Sequence, residues 1–154
     1  LMQNKGEIIS CDIYEHKIKL IEKSSKRLGL DIIKGSVSDA LIYRENLGKA
    51  DKVLCDVPCS GWGIIRRKPD IKFSESDISQ LPPLQLKILC NGADYLKKGG
   101  TLVYSTCTIN KRENEEVINS FLELRKDFEK SYEKTYYPNK ENSDGFYICR
   151  LERK

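Results

Sequence analysis

Two cysteines stand in segments of unusual composition: Cys59 in Asp56-Val57-Pro58-Cys59-Ser60-Gly61, and Cys107 in Tyr104-Ser105-Thr106-Cys107-Thr108. Each segment closes an apolar, strand-like run. Lys52-Val53-Leu54-Cys55 precedes the first and Thr101-Leu102-Val103-Tyr104 leads into the second, so each cysteine is delivered into a loop. In an open α/β sheet, ligands bind outside the carboxyl ends of the strands. Two thiols and one carboxylate, Asp56, would then converge on a single crevice. That set suits attack on an electron-poor ring, with a thiolate nucleophile, an acid at a ring nitrogen, and a second thiol to move a proton.

The longer strings around both cysteines carry a resemblance. Asp-Val-Pro-Cys-Ser-Gly-Trp-Gly-Ile-Ile-Arg-Arg-Lys-Pro-Asp-Ile-Lys, residues 56–72, resembles the Pro-Cys motif of the Sun/Fmu-type (RsmB-like) S-adenosylmethionine-dependent RNA (cytosine-5) methyltransferases. Leu102 to Ile109, followed by Glu113-Asn114-Glu115-Glu116-Val117, resembles their Thr-Cys motif and the helix after it. Asp144-Gly145-Phe146-Tyr147-Ile148 resembles their closing strand. The resemblance runs through nearly all of the chain. One departure is Thr108, where the family more often has serine; the hydroxyl is kept.

Around these motifs the composition is that of a folded, polar-surfaced chain. It has 154 residues, with 39% hydrophobic and 32% charged. This length is one domain's worth or less. No apolar run approaches the ~20 residues that span a bilayer, and the first residues lack a signal-peptide pattern. The six cysteines form no dense framework, which points to reduced thiols and a cytoplasmic setting. A zinc site is not expected. Cys55 and Cys59 are widely spaced, no second pair stands at ligand distance, and His16 is the only histidine. The net charge of +4 is mild. Arg66-Arg67-Lys68, directly after the Pro-Cys loop, is a compact basic cluster expected to hold an RNA phosphate backbone.

The elements that must position these residues alternate. Residues 7–12 read as a short strand ending on Asp12. Residues 16–28 read as a helix with Ile18, Ile21 and Leu28 on one face and Gly29 as its stop. A strand begins at Ile32 and Ile33. Residues 41–47 read as a short helix or loop, and 53–56 as the next strand. A long loop through Pro69 follows, and the Pro82-Pro83 boundary could break a helix or open one. Residues 84–96 read as an amphipathic helix facing inward with Leu86, Leu89, Ala93 and Leu96. Lys97-Lys98-Gly99-Gly100 reads as its stop. After the Thr101 strand come a helix over 113–125 and strands near 131–137 and 146–151, linked by polar residues 139–143. Such alternation predicts a mostly parallel α/β sheet with a C-terminal antiparallel hairpin.

The resemblance implies a Rossmann-like methyltransferase sheet. It also implies that residues 1–154 are the C-terminal part of the catalytic domain, without its first strand, its glycine-rich loop and any upstream RNA-binding domain. Residues 1–6 would be the tail of the helix after that loop. In the family the Thr-Cys cysteine attacks carbon 6 of cytosine and the Pro-Cys cysteine helps release the product, which assigns Cys107 and Cys59 these roles. Asp56 would contact the cytosine edge and lie close to the methyl donor. Asp12 would grip the ribose hydroxyls of S-adenosylmethionine and Asp39 its adenine amino group; on local sequence alone, each reads equally as a helix cap. The implied substrate is ribosomal RNA of the small subunit, or transfer RNA. Cys11, Cys55, Cys90 and Cys149 read as packing residues. Pro58 and Gly61 shape the loop. Trp62 reads as a base-stacking residue or a loop anchor.

Three rival readings stand beside this one. An amino-group methyltransferase would carry an Asn/Asp-Pro-Pro-aromatic motif where this chain has Asp56 to Cys59. A non-catalytic RNA-binding module would use the thiols only for packing. A thiol redox protein would need a Cys-x-x-Cys motif, which the sequence lacks.

Overall fold

The computed structural model describes residues 2–73 and 77–154. The chain divides into two compact units, Leu1–Leu47 and Gly48–Lys154.

The first unit is a single β-α-β turn. Strand β1 (Ile8–Asp12) leads into helix α1 (Glu15–Arg27), which returns the chain to β2 (Ile33–Val37). The strands pair in parallel from Ile8 opposite Ile33 to Asp12 opposite Val37, as a helical crossover requires. Glu15 in the first turn of α1, with Lys26 and Arg27 in the last, complements the helix dipole. Two expectations are corrected here. Leu28 lies outside α1 and is 58% exposed, because the chain leaves the helix one residue before it. Residues 2–6 are turns, not the tail of a helix; Gln3 and Asn4 take φ of 52° and 54°, which breaks helical continuity.

The second unit is built on a four-stranded sheet whose strands lie in the order β3 (Ala50–Asp56), β4 (Leu96–Thr106), β6 (Phe146–Arg153), β5 (Phe128–Tyr136). β3 pairs in parallel with β4. β4 pairs antiparallel with β6, and β6 pairs antiparallel with β5. This is the expected parallel sheet with a closing hairpin. Helix α2 (Leu81–Asp94) connects β3 to β4, and α3 (Glu115–Leu124) connects β4 to β5. The proline pair opens α2 rather than breaking it, since the first-turn amide groups have no partner inside a helix. Asp77 prepares that entry by accepting the Ser79 amide. The long loop expected through Pro69 contains short 3-10 turns at Trp62–Ile64 and Pro69–Phe73; residues 74–76 lie outside the described residues. A one-turn helix α4 (Pro138–Glu141) occupies the expected polar link between β5 and β6.

Residues 96–100 differ from expectation. Leu96 is buried, but in β4 rather than in α2, and Lys97 to Gly100 belong to an irregular start of the same strand. The ladder skips from Ala50–Leu96 to Lys52–Thr101. A bulge of this kind accommodates the glycines that read locally as a helix stop. The core lies where α2 and α3 cover the sheet. Leu89, Ala93, Ile118 and Phe121 meet Leu102, Cys149 and Leu151, all fully buried. Phe121 packs edge-on against Phe128 with ring centroids 5.2 Å apart.

This topology brings three loops to one end of the sheet. β3 and β4 are parallel, so the segments after Asp56 and after Thr106 leave at the same edge. β6 runs the other way, with Tyr147 opposite Thr106, so the loop that enters β6 arrives there too.

Candidate active site

At that edge the two cysteines meet. Cys59 Sγ lies 3.2 Å from Cys107 Sγ, and both residues are partly buried. The loops that carry them are joined directly: Ser60 Oγ and Thr108 Oγ1 stand 2.8 Å apart in a hydrogen bond. Thr108 thus uses the hydroxyl it shares with serine. Asp56, at the end of β3, accepts from Ser105 Oγ at 3.1 Å.

The third loop closes on the other two through glycines. Gly63 N–H donates to the Cys107 carbonyl at 3.0 Å, and Gly145 N–H donates to the Gly63 carbonyl at 2.7 Å. A Cβ on Gly63 would stand 2.1 Å from the Gly145 oxygen and 2.8 Å from the Cys107 oxygen. Only a residue without a side chain lets these backbones approach so closely. Gly61 takes φ of 71°, in the left-handed region, which is the conformational freedom expected of it.

The thiol pair shares a proton unequally. Cys59 donates to Cys107, and this hydrogen bond lowers the Cys107 pKa to about 7 against the opposing effect of burial. The same bond, with burial, raises that of Cys59 far above the ordinary thiol range. The Asp56 charge raises the Cys107 pKa and the Lys68 charge lowers it. A thiol near 7 supplies thiolate at neutral pH, which is what a sulfur nucleophile needs. The arrangement therefore favours thiolate on Cys107 and keeps the proton on Cys59, which points it at the Cys107 sulfur. By contrast, burial pushes both Cys55 and Cys149 up to about 12. These two are packing thiols, as expected. Cys90 is half-buried and packs against the core, as expected; Cys11 is exposed, so the packing role read for it is corrected.

Beneath the loops lies a buried polar cluster that sequence reasoning missed. Gln85, Glu113, Asn114 and Thr106 are all fully buried. Gln85 Nε2 donates to the Pro58 carbonyl at 2.9 Å. Asn114 accepts from Thr106 Oγ1 at 2.6 Å and donates to the Thr108 carbonyl at 3.0 Å. A signal was present: Gln85 shares one stripe of α2 with Leu89 and Ala93, and a polar residue in a buried stripe needs a partner.

The other expected site residues fall as follows. Asp12 and Asp39 lie in the first unit, at the carboxyl ends of β1 and β2. The Ser38 amide donates to the Asp12 carbonyl at 3.0 Å, which keeps the two strand ends together. Asp12 Oδ1 accepts the Tyr14 amide at 2.9 Å, and this bond lowers its pKa. Its other oxygen is 3.4 Å from Lys17 Nζ. Asp39 Oδ1 accepts the Leu41 amide at 2.8 Å. Both carboxylates shape the turns that follow their strands, and as acceptors they fit donors such as hydroxyl or amino groups. Arg66 and Arg67 both face Asp144, at 3.8 and 2.5 Å. Trp62 is 41% exposed and lines an open, mostly apolar cavity of about 360 Å³ with Ile65, Ile71, Lys72 and Ile109. Among the described residues no cluster of three His, Cys, Asp or Glu side chains could hold a metal, and no helix is long and apolar enough to cross a membrane.

A mixed α/β sheet of this order, with its polar loops gathered at the carboxyl ends of parallel strands, defines the Rossmann-like methyltransferase class. A solved N-methyltransferase, NodS from Bradyrhizobium japonicum WM9 in complex with S-adenosyl-L-homocysteine, shares that fold at a TM-score of 0.62 and 15% identity, covering 96% of this chain and 66% of that one. The family model of 16S rRNA methyltransferase RsmB/F matches residues 1–152, and the chain belongs to that family. It is 42% identical, over all of its length and 39% of the relative's, to the probable ribosomal RNA small subunit methyltransferase B of Bacillus subtilis (strain 168). It also resembles the crystal structure of NSun6 from Pyrococcus horikoshii with SFG, at 31% identity and a TM-score of 0.84, covering 97% of this chain and 42% of that one. The chain thus spans well under half the length of these relatives.

Proposed function

We propose that this chain is part of the catalytic domain of an RNA methyltransferase that modifies carbon 5 of a cytosine in small-subunit ribosomal RNA, in the cytoplasm. The observation that carries the reading is the pair of sulfurs 3.2 Å apart, one with its pKa lowered and one raised. Carbon 5 of cytosine is a poor nucleophile. Cys107 thiolate adds to carbon 6, and the electron pair moves toward carbon 5 as charge builds at the ring's nitrogen 3. Asp56 meets that edge of the ring. S-adenosylmethionine, when bound, supplies the electrophilic methyl group. A base takes the proton from carbon 5, the freed electron pair re-forms the ring's 5,6 double bond, and the carbon–sulfur bond breaks with its pair on the Cys107 sulfur. Cys59 assists this release by donating a hydrogen bond to the departing Cys107 thiolate, which stabilises the leaving group. Asp12 and Asp39 are the carboxylates for the donor's ribose and adenine. The cytosine is single-stranded or flipped out, since carbon 6 is closed to a thiol inside a stacked helix.

The basic residues Arg66, Arg67 and Lys68 contact phosphate in this reading. The ion pairs to Asp144 hold the two arginines close to the loops, and their side chains stay about two-thirds exposed. A neighbouring carboxylate does not prevent an arginine from donating to phosphate as well, because it has five N–H groups.

The test is product analysis. Protein with the upstream length that the relatives have, given small-subunit ribosomal RNA and labelled S-adenosylmethionine, yields labelled 5-methylcytidine on digestion. Label in an amino-methylated nucleoside, or none in RNA, overturns the proposal.

A further inference from the structure

Glu113 lies at the centre of the buried cluster and accepts on both carboxylate oxygens. Oε2 takes the Ser60 amide at 2.8 Å and Gln85 Nε2 at 3.1 Å. Oε1 takes Asn110 Nδ2 at 2.9 Å. The side chain is fully buried, and no cation forms an ion pair with it among the described residues. A buried carboxyl group without a cation is costly to keep unless every bond to it is made. Its neighbours explain why it stands here. Ser60 follows Cys59, and Gln85 also holds the Pro58 carbonyl, just before Cys59. Asn110 sits in the loop that begins with Cys107. Glu113 therefore grips the backbone after Cys59 directly and the backbone before it through Gln85, and its bond from Asn110 fastens both to the loop of Cys107. Gln85 keeps a buried Oε1 without a partner among the described residues, which suggests that its amide is oriented for these two donations.

We propose that Glu113 is the positioning residue of the thiol pair: it sets Cys59 Sγ against Cys107 Sγ through the Ser60 amide and the Gln85 relay. It touches neither sulfur through a hydrogen bond and is not a catalytic residue. As a statement about the reaction, this rests on the reading of Cys59 and Cys107 as the reacting thiols. As a statement about geometry it does not, and the test uses that difference.

The readout is the rate at which the two thiols couple in this chain, without RNA or methyl donor. Diamide, a two-electron oxidant, takes up the two thiol hydrogens as the Cys59–Cys107 bond forms, and mass spectrometry maps the linked peptides. Because misplacement by about 1 Å can cost a reaction up to about 100-fold, we expect Glu113→Ala to slow coupling at least about tenfold. Glu113→Gln keeps one acceptor for Ser60 and Gln85 and should recover most of the rate. If Glu113→Ala does not fold, Gln85→Leu removes the relay and should slow coupling as well. A purely structural Glu113 would lower the melting temperature but leave coupling unchanged well below the melt. A folded Glu113→Ala or Gln85→Leu chain that couples at the wild-type rate overturns the proposal. Slowed coupling, with methyl transfer that survives Cys107→Ala, would leave the positioning role standing and remove the reaction it was read to serve.

Discussion

Cys107 carries a pKa near 7 because Cys59 donates a hydrogen bond to its sulfur. The donor favours the thiolate, so its loss must raise the value. Alkylation of Cys107, followed peptide by peptide, should therefore climb with pH through a midpoint near 7 and level off above it. In Cys59→Ala the midpoint should move up toward the ordinary thiol value; an unmoved midpoint would refute the hydrogen bond's role. Asp56 acts in the opposite sense, its charge raising the Cys107 value. Asp56→Asn should leave alkylation of Cys107 as fast or faster at pH 7. It should still cut methyl transfer by about 10²–10⁴-fold, as expected for a lost acid–base group. Equal losses in both assays would mean that Asp56 supports the loop rather than the ring. The two thiols and Asp56 were legible in the sequence because they follow strand-like runs in motif strings. Glu113 and Gln85 were not, because their partners lie 53 and 27 positions away in the chain.

Among the elements, the loops at the sheet edge depend on close backbone approach more than on side-chain packing. Gly63 and Gly145 interlock so that a Cβ on either would overlap the other's backbone. Gly63→Ala should cost about 1–3 kcal/mol, the usual range for overpacking, in chemical denaturation. It should also depress methyl transfer beyond what that loss of stability explains, since the strain falls on the Cys107 carbonyl. Neutral stability would show that the loops can part at little cost. Leu89→Ala, fully buried between α2 and the sheet, should cost about 2–5 kcal/mol by leaving a cavity. Most strands and helices could be read from periodicity, which reports burial. The start of β4 could not. Lys97 to Gly100 has the local chemistry of a helix stop, and only pairing with β3 recruits it into a strand. Leu28 was misread because an apolar residue at helical spacing need not lie inside the helix.

At the scale of the molecule, RNA binding should depend on charges that the sequence clusters and the fold partners. Replacing Arg66, Arg67 and Lys68 by alanine, one at a time, should lower the slope of log affinity against log salt by about 1 for each phosphate left without its cation. A slope unchanged in all three would move the RNA path elsewhere. The pairing of Arg66 and Arg67 with Asp144 was hidden from the sequence, which shows the basic cluster but not the loop that folds back onto it. The proposed reaction turns on the division of labour between two sulfurs, and one denaturing gel reads it. In protein of the relatives' length, incubated with small-subunit ribosomal RNA and S-adenosylmethionine, Cys59→Ala should accumulate a covalent protein–RNA adduct, and Cys107→Ala should form none. The reverse pattern, or no adduct from either variant, would contradict the assignment of Cys107 as the nucleophile.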